Sequence, residues 1–264
     1  MTWLRDWSHS EHVALRVLCL PGAGTAAHTF RRWTRLLPPD IGVVAVELPG
    51  RGSRFGEPAV HSMEEILRPL SEEVAALADR PLVVFGHSMG AVVGAELCRT
   101  LGRERGFTPD LVIAAACEAP RLPPRKDYAR WLTDEGILHF LREMDGTPPE
   151  LLADADYMRM LVPAVRADLT VLATRPPAED RPLGCPVRVY LGDSDTGVHP
   201  DRAAHWRAES NGDFATHTFA SGHFFIQDKV TEVVERLRAD VAATLGAAAP
   251  PRPVHRPEYR TRPL

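Results

Sequence analysis

Pro81-Leu-Val-Val-Phe-Gly-His-Ser-Met-Gly-Ala-Val-Val-Gly-Ala-Glu96 decides how the rest of the chain is read. Leu82 to Phe85 are uniformly apolar, as a strand buried on both faces requires. The residues after Met89 carry a helical pattern. Between them Gly86-His87-Ser88-Met89-Gly90 fits G-x-S-x-G. In a sharp strand-to-helix turn the serine takes a strained backbone conformation, and side chains at the two flanking positions would strike the neighbouring strand and helix. The hydroxyl then stands at the top of a sheet, and the helix start behind it offers N–H groups to developing negative charge. The competing reading of Ser88 is an ordinary helix N-cap. The strand before it and the helix after it favour a nucleophile.

Outward from that turn, short apolar runs alternate with amphipathic stretches. Leu15-Arg-Val-Leu-Cys-Leu20 reads as a strand running into the loop Pro21-Gly-Ala-Gly24. A helix is expected from about Ala27 to Leu37, stopped by Pro38-Pro39. Ile41 to Leu48 is a second buried strand, ending in Pro49-Gly-Arg-Gly-Ser-Arg54. Ser62 and Glu65 form a capping box that opens a helix to about Ala78, with Pro69 expected to kink it. The helix after Ser88 should reach about Arg105, and Asp110 to Cys117 is the next strand. This alternation predicts an α/β protein with a mostly parallel sheet covered by helices on both faces. Ligands bind such sheets at the carboxyl ends of the strands.

The rhythm breaks after Pro120. Tyr128, Trp131, Leu132, Leu138, Leu141 and Met144 recur at helical spacing, as do Leu151, Leu152, Met158, Leu161, Val165, Leu169 and Leu172. Residues 121–180 are therefore expected to be a lid of about three helices, inserted in a core made of 1–120 and 181–246. About 55 residues without a strand is long for a simple crossover, which favours a lid over helices that merely cover a sheet face. Strands resume at Pro186 to Gly192 and at Phe214 to Phe219. A helix from about Pro200 to Glu209 separates them, and a last helix runs from about Gln227 to Leu245. Residues 247–264 are rich in Pro and Arg and are expected to be a mobile tail.

A serine nucleophile needs a base and an orienting acid. On this kind of sheet the acid follows a late strand and the base follows the last one. His223, in Ser221-Gly-His-Phe-Phe225, directly follows the last strand. His217 lies inside that strand and reads as structural. His87, beside the serine, reads the same way or as pocket lining. Gly192-Asp-Ser-Asp195 offers two acids. Asp195 is favoured, because Asp193 sits so close to the strand end that it better serves the turn; an Asp before a glycine is also a common Asx-turn residue. Asp168 falls in the helical insertion, the wrong place for the acid. The oxyanion donors are expected to be the N–H groups of Met89 and of Ala23, with Gly22 and Gly24 letting that loop approach the substrate.

Composition narrows the class. The 264 residues are 44% hydrophobic and 25% charged, with a net charge of −4. Nothing in this balance points to nucleic acid or an anionic membrane. No run reaches the eighteen or so apolar residues of a membrane helix. The first twelve residues carry charges and histidines where a signal peptide has its apolar region, so a cytoplasmic location is expected. Cys19, Cys98, Cys117 and Cys185 show neither C-x-x-C nor metal spacing and read as small buried hydrophobes. No metal or redox cofactor is expected, and a monomer is the default.

From Val17 to Leu245 the chain resembles a known family, on Leu20-Pro-Gly-Ala-Gly24, Glu47-Leu-Pro-Gly-Arg-Gly-Ser-Arg54, Phe85-Gly-His-Ser-Met-Gly90, Gly146-Thr-Pro-Pro-Glu-Leu-Leu152, Pro163-Ala-Val-Arg-Ala-Asp168, Gly192-Asp-Ser-Asp195 and Gly222-His-Phe-Phe225. It is similar to the type II (stand-alone, editing) thioesterases of polyketide and non-ribosomal peptide biosynthesis, which have the α/β-hydrolase fold. The resemblance implies an acyl thioester on the phosphopantetheine arm of an acyl or peptidyl carrier protein as substrate. It implies removal of stalled or misprimed chains as the role. Arg121, Arg125, Lys126 and Arg130, at the lid entrance, are candidates to receive an acidic carrier; a solvated basic face is the alternative. A general carboxylesterase or a chain-releasing thioesterase would share the fold. A binding protein on an inactive hydrolase fold would lack a member of the serine–histidine–aspartate set.

Overall fold

The computed structural model describes residues 2–9, 13–125, 127–178 and 181–246. Lys126 and the tail at 247–264 lie outside them. Among the described residues, seven strands form one sheet in the order β1-β3-β2-β4-β5-β6-β7. They are β1 (Leu4–Asp6), β2 (Leu15–Leu20), β3 (Ile41–Val46), β4 (Leu82–His87), β5 (Leu111–Ala115), β6 (Val187–Gly192) and β7 (Phe214–Phe219). All pairs are parallel except β1 with β3. The register brings Leu20 beside Gly86 and His87 beside Ala115. Gly192 likewise lies beside Phe219. The loops after β2, β4, β5, β6 and β7 therefore leave the sheet along one edge.

Each central strand faces two cores. Leu18, Leu82 and Val84 pack with α1 (Met63–Ala75) and α2 (Met89–Arg105). Val17, Val83 and Phe85 pack on the other face with α8 (Val230–Leu245). That is why the central strands read as continuous apolar runs rather than alternating ones. All four cysteines are buried and unbridged.

Several elements differ from expectation. The first helical stretch, Ala27–Arg35, is a 3₁₀-helix. Its buried residues Ala27, Phe30 and Trp33 fall at every third position, the spacing that three residues per turn place on one face. Helix α1 has its Ser62–Glu65 capping box and runs through Pro69, but ends at Ala75. The expected helix at Pro200 to Glu209 is α6 (Pro200–Ala204) followed by a 3₁₀ turn, His205–Glu209. The last helix is divided at Lys229 into α7 (Phe225–Asp228) and α8. Strand β1 carries no alternating pattern in its three residues and was not expected.

The segment between β5 and β6 contains a 3₁₀ turn, Tyr128–Trp131, then α3 (Asp134–Met144), the one-turn α4 (Pro149–Leu152) and the long α5 (Ala155–Thr174). Thr133 and Asp154 cap α3 and α5 through their side chains. No described helix is long and apolar enough to cross a membrane.

Candidate active site

Ser88 stands between β4 and α2 with φ 54 and ψ −117, a conformation side chains rarely adopt. Its N–H is held by the Ala115 carbonyl at 2.8 Å. The flanking glycines answer a shortage of space. A Cβ on Gly86 would lie 2.3 Å from the Gly90 carbonyl oxygen, and one on Gly90 would lie 2.2 Å from that of Leu20. The Ser88 side chain makes no capping hydrogen bond to a described residue, so it is not serving as an N-cap. It lines a cavity instead.

The loops after β6 and β7 are joined at their roots. The N–H of Asp193 donates to Phe219 at 3.0 Å and that of Ser194 to Ser221 at 3.2 Å. This stitching brings Asp195 to His223. His223 Nδ1 lies 2.7 Å from Asp195 Oδ2, and Asp195 Oδ1 accepts the Gly197 N–H at 2.8 Å. The two side chains are only 9% and 2% exposed. A carboxylate can only accept, so Nδ1 carries the proton. In the neutral ring Nε2 is then the basic nitrogen. Asp193, by contrast, is exposed and accepts the Ser194 hydroxyl at 2.8 Å.

Two cavities meet at Ser88 and His223. The larger, about 420 Å³, is walled by Ala23, by Phe140, Leu141 and Met144 around α3, and by Phe224. The smaller, about 70 Å³, lies toward Cys117, Tyr128 and Arg125. Ala23 N–H meets no acceptor among the described residues. Met89 opens α2, where first-turn N–H groups have no intrahelical partner.

His87 is buried, and its Nε2 lies 2.9 Å from the His223 carbonyl oxygen. Burial, with the nearby His223 charge, pushes its pKa down to about 3. It is a neutral donor that ties the serine turn to the His223 loop.

The basic residues at 121–130 are dispersed. The Arg121 N–H donates to buried Glu209 at 3.0 Å, and its guanidinium lies 3.6 Å from the same carboxylate. Arg125 lies 3.7 Å from Glu118. Arg130 is exposed in the last turn of the 3₁₀ helix. Lys126 is outside the described residues.

The residues that sequence reasoning missed are Arg51 and Asp168. Their side chains pair in a buried, two-pronged salt bridge. Asp168 Oδ2 also accepts the Gly24 N–H at 2.7 Å. Both sit in segments that carry the family resemblance, Pro-Gly-Arg-Gly and Arg-Ala-Asp.

Comparison with known proteins places the chain in a family. The thioesterase domain model matches residues 15–241. The thioesterase PikA5 of Streptomyces venezuelae is 33% identical over 254 residues, covering 93% of this chain and 87% of that one. The gramicidin S biosynthesis protein GrsT of Aneurinibacillus migulanus is 31% identical over 233 residues, covering 88% and 91%. Among solved structures, the type II thioesterase BorB of the borrelidin biosynthetic cluster superposes with a TM-score of 0.80 at 30% identity, covering 90% of this chain and 96% of that one. The chain is an α/β-hydrolase-like thioester hydrolase that belongs to the thioesterase family, among the type II thioesterases of polyketide and non-ribosomal peptide biosynthesis.

Proposed function

We propose that this enzyme releases acyl groups from the phosphopantetheine arm of acyl or peptidyl carrier proteins, clearing stalled or misprimed chains, with Ser88, His223 and Asp195 as its catalytic residues. The observation that carries the reading is the 2.7 Å contact between His223 and Asp195, beside a cavity that Ser88 also lines. The Ser88 hydroxyl attacks the thioester carbonyl while His223 Nε2 takes its proton. Asp195 holds the opposite ring nitrogen and favours the imidazolium that forms. The oxyanion meets the N–H groups of Ala23 and Met89, each such donor typically worth about 3 kcal/mol of barrier. The tetrahedral species collapses, the carbon–sulfur bond breaks, and the pantetheine thiol leaves with the proton from His223. Water then attacks the acyl–Ser88 ester, His223 taking one proton and returning it to Ser88 as the carboxylic acid departs. A thiolate is a better leaving group than an amine, so less acid assistance is needed than in a protease. The scheme calls for no metal or redox cofactor.

Residues 121–180 act as a helical lid in this reading. The larger cavity, with its apolar wall from α3, suits the acyl chain. The test compares hydrolysis of acyl-pantetheine thioesters with that of p-nitrophenyl esters, using Ser88→Ala as control. Preference for the thioester and loss of turnover in Ser88→Ala are expected. Equal or better turnover of simple esters would favour a general esterase. Wild-type thioester turnover by Ser88→Ala would remove the mechanism.

A further inference from the structure

The loop that carries Ala23 is a tight turn. The Gly22 carbonyl accepts both the Thr25 N–H at 3.1 Å and the Thr25 hydroxyl at 2.8 Å. Gly24, the third residue of that turn, has φ +72, as a type II turn requires at this position. The peptide between its two central residues carries the Gly24 N–H and adjoins the peptide that carries the Ala23 N–H.

Here that peptide is gripped from helix α5. The Gly24 N–H donates to Asp168 Oδ2 at 2.7 Å. One turn earlier on the same helix, Val165 presses on Gly24 so closely that a Cβ there would lie 2.7 Å from its Cγ2. Asp168 is itself immobilised by Arg51. Arg51 Nη2 donates to Asp168 Oδ1 at 2.7 Å, Nη1 donates to Oδ2, and Nη1 reaches the Thr25 carbonyl at 3.4 Å. Arg51 and Asp168 are 5% and 1% exposed. A planar guanidinium fork on a carboxylate fixes orientation as well as position. Two distant parts of the chain thus converge on the turn between Gly22 and Thr25: the loop after β3 and helix α5.

We propose that the Arg51–Asp168 pair is a positioning device for the oxyanion hole: by holding the Gly24 N–H it fixes the turn about Ala23, so that the Ala23 N–H, in the preceding peptide, stays aimed at the reacting carbonyl. The inference rests on the reading of Ala23 as an oxyanion donor. Helix α5 is then part of the catalytic frame as well as of the roof. Neither Arg51 nor Asp168 touches substrate; both act through Gly24.

The test uses Asp168→Ala and the near-isosteric Asp168→Asn, which keeps an acceptor for the Gly24 N–H and covers the case that the alanine variant does not fold. Three quantities are measured: kcat and KM on an acyl-pantetheine thioester, the affinity of a trifluoromethyl ketone analogue of that substrate, and the affinity of the corresponding non-hydrolysed amide. The ketone adds the serine and places an oxyanion in the hole; the amide mimics only the ground state. Asp168→Ala is expected to lower kcat about 100-fold, as small displacements of a catalytic group do, and to weaken the ketone by a similar factor. KM and amide affinity should stay within about threefold of wild type, as expected when only transition-state contacts are lost. Asp168→Asn should show the same split at about tenfold. A folded variant with wild-type kcat would overturn the proposal. So would equal loss of ketone and amide affinity, which marks a merely structural role. Ser88→Ala is run alongside. If thioester turnover proves independent of Ser88, both this inference and the mechanism fall. If it depends on Ser88 while the Asp168 variants keep wild-type kcat, only this inference falls.

Discussion

His87 Nε2 lies 2.9 Å from the carbonyl oxygen of His223, so the residue before the proposed nucleophile supports the backbone of the proposed base. The two rings lie 5.1 Å apart. The distance between serine turn and base loop is thereby set by a hydrogen bond as well as by packing.

Burial of the His87 ring has a pH signature. The folded pKa of His87 is depressed to about 3, against about 6.5 in an unfolded chain. Between these values the unfolded chain binds the extra proton and the folded one does not, so stability rises with pH across that window. Read downward, the protein loses about 1.4 kcal/mol per pH unit from this group below about pH 6, until about pH 3. Denaturant melts at pH 7, 6, 5 and 4 should show a steeper acid loss for wild type than for His87→Gln. Parallel curves would remove the assignment.

Asp195 and Asp193 differ by two positions and should differ greatly in effect. Asp195→Asn removes the carboxylate that holds His223 Nδ1 and is expected to lower kcat about 10³- to 10⁴-fold. Asp193→Asn alters an exposed contact to Ser194 and is expected to stay within about threefold of wild type. The check is steady-state kinetics on one acyl-pantetheine.

Glycine substitutions separate two causes. Gly90→Ala puts a Cβ 2.2 Å from the Leu20 carbonyl oxygen, a clash of backbone with backbone. It should cost more than about 3 kcal/mol of stability or prevent folding. Gly102→Ala, inside α2 with nothing nearer than 3.9 Å, should stabilise by up to about 1 kcal/mol. Chemical denaturation of the two variants decides.

Charge reversal at the proposed docking face is cleanest at Arg130. Arg121 and Arg125 already have carboxylate partners, Glu209 and Glu118. Reversal at Arg121 would also leave buried Glu209 without that partner. Arg130→Glu is expected to lower kcat/KM about five- to tenfold on acyl-carrier protein and to leave acyl-pantetheine unchanged, as loss of rim electrostatics does. An equal effect on both substrates would remove this face as the docking site.

What could be read from the chain follows the range of the forces involved. The turn at Ser88 is a local steric problem, and its answer, glycines at 86 and 90, is written within five residues. The strand succession was legible because central strands buried on two faces are apolar throughout. Residues 27–35 were harder: burial at every third position leaves a 3₁₀ and an α-helix nearly alike in sequence. The break at Lys229 within the last helix carries no glycine or proline to announce it. Arg51 and Asp168 are 117 residues apart. No local pattern announces such a pair, so Asp168 could be set aside as the acid without its actual partner being seen. The same holds for Glu118 and Glu209, whose partnership with the arginines at 121 and 125 needs the folded chain.

The central claim is that the acyl group passes through a covalent ester on Ser88. Rapid-quench mixing with an acyl-pantetheine, followed by proteolysis and mass spectrometry, tests it most directly. The account predicts that the peptide bearing Ser88 gains the mass of the acyl group early in turnover and loses it as the free acid appears. Steady turnover with Ser88 unmodified at every time, or with the acyl mass on another residue, would contradict it.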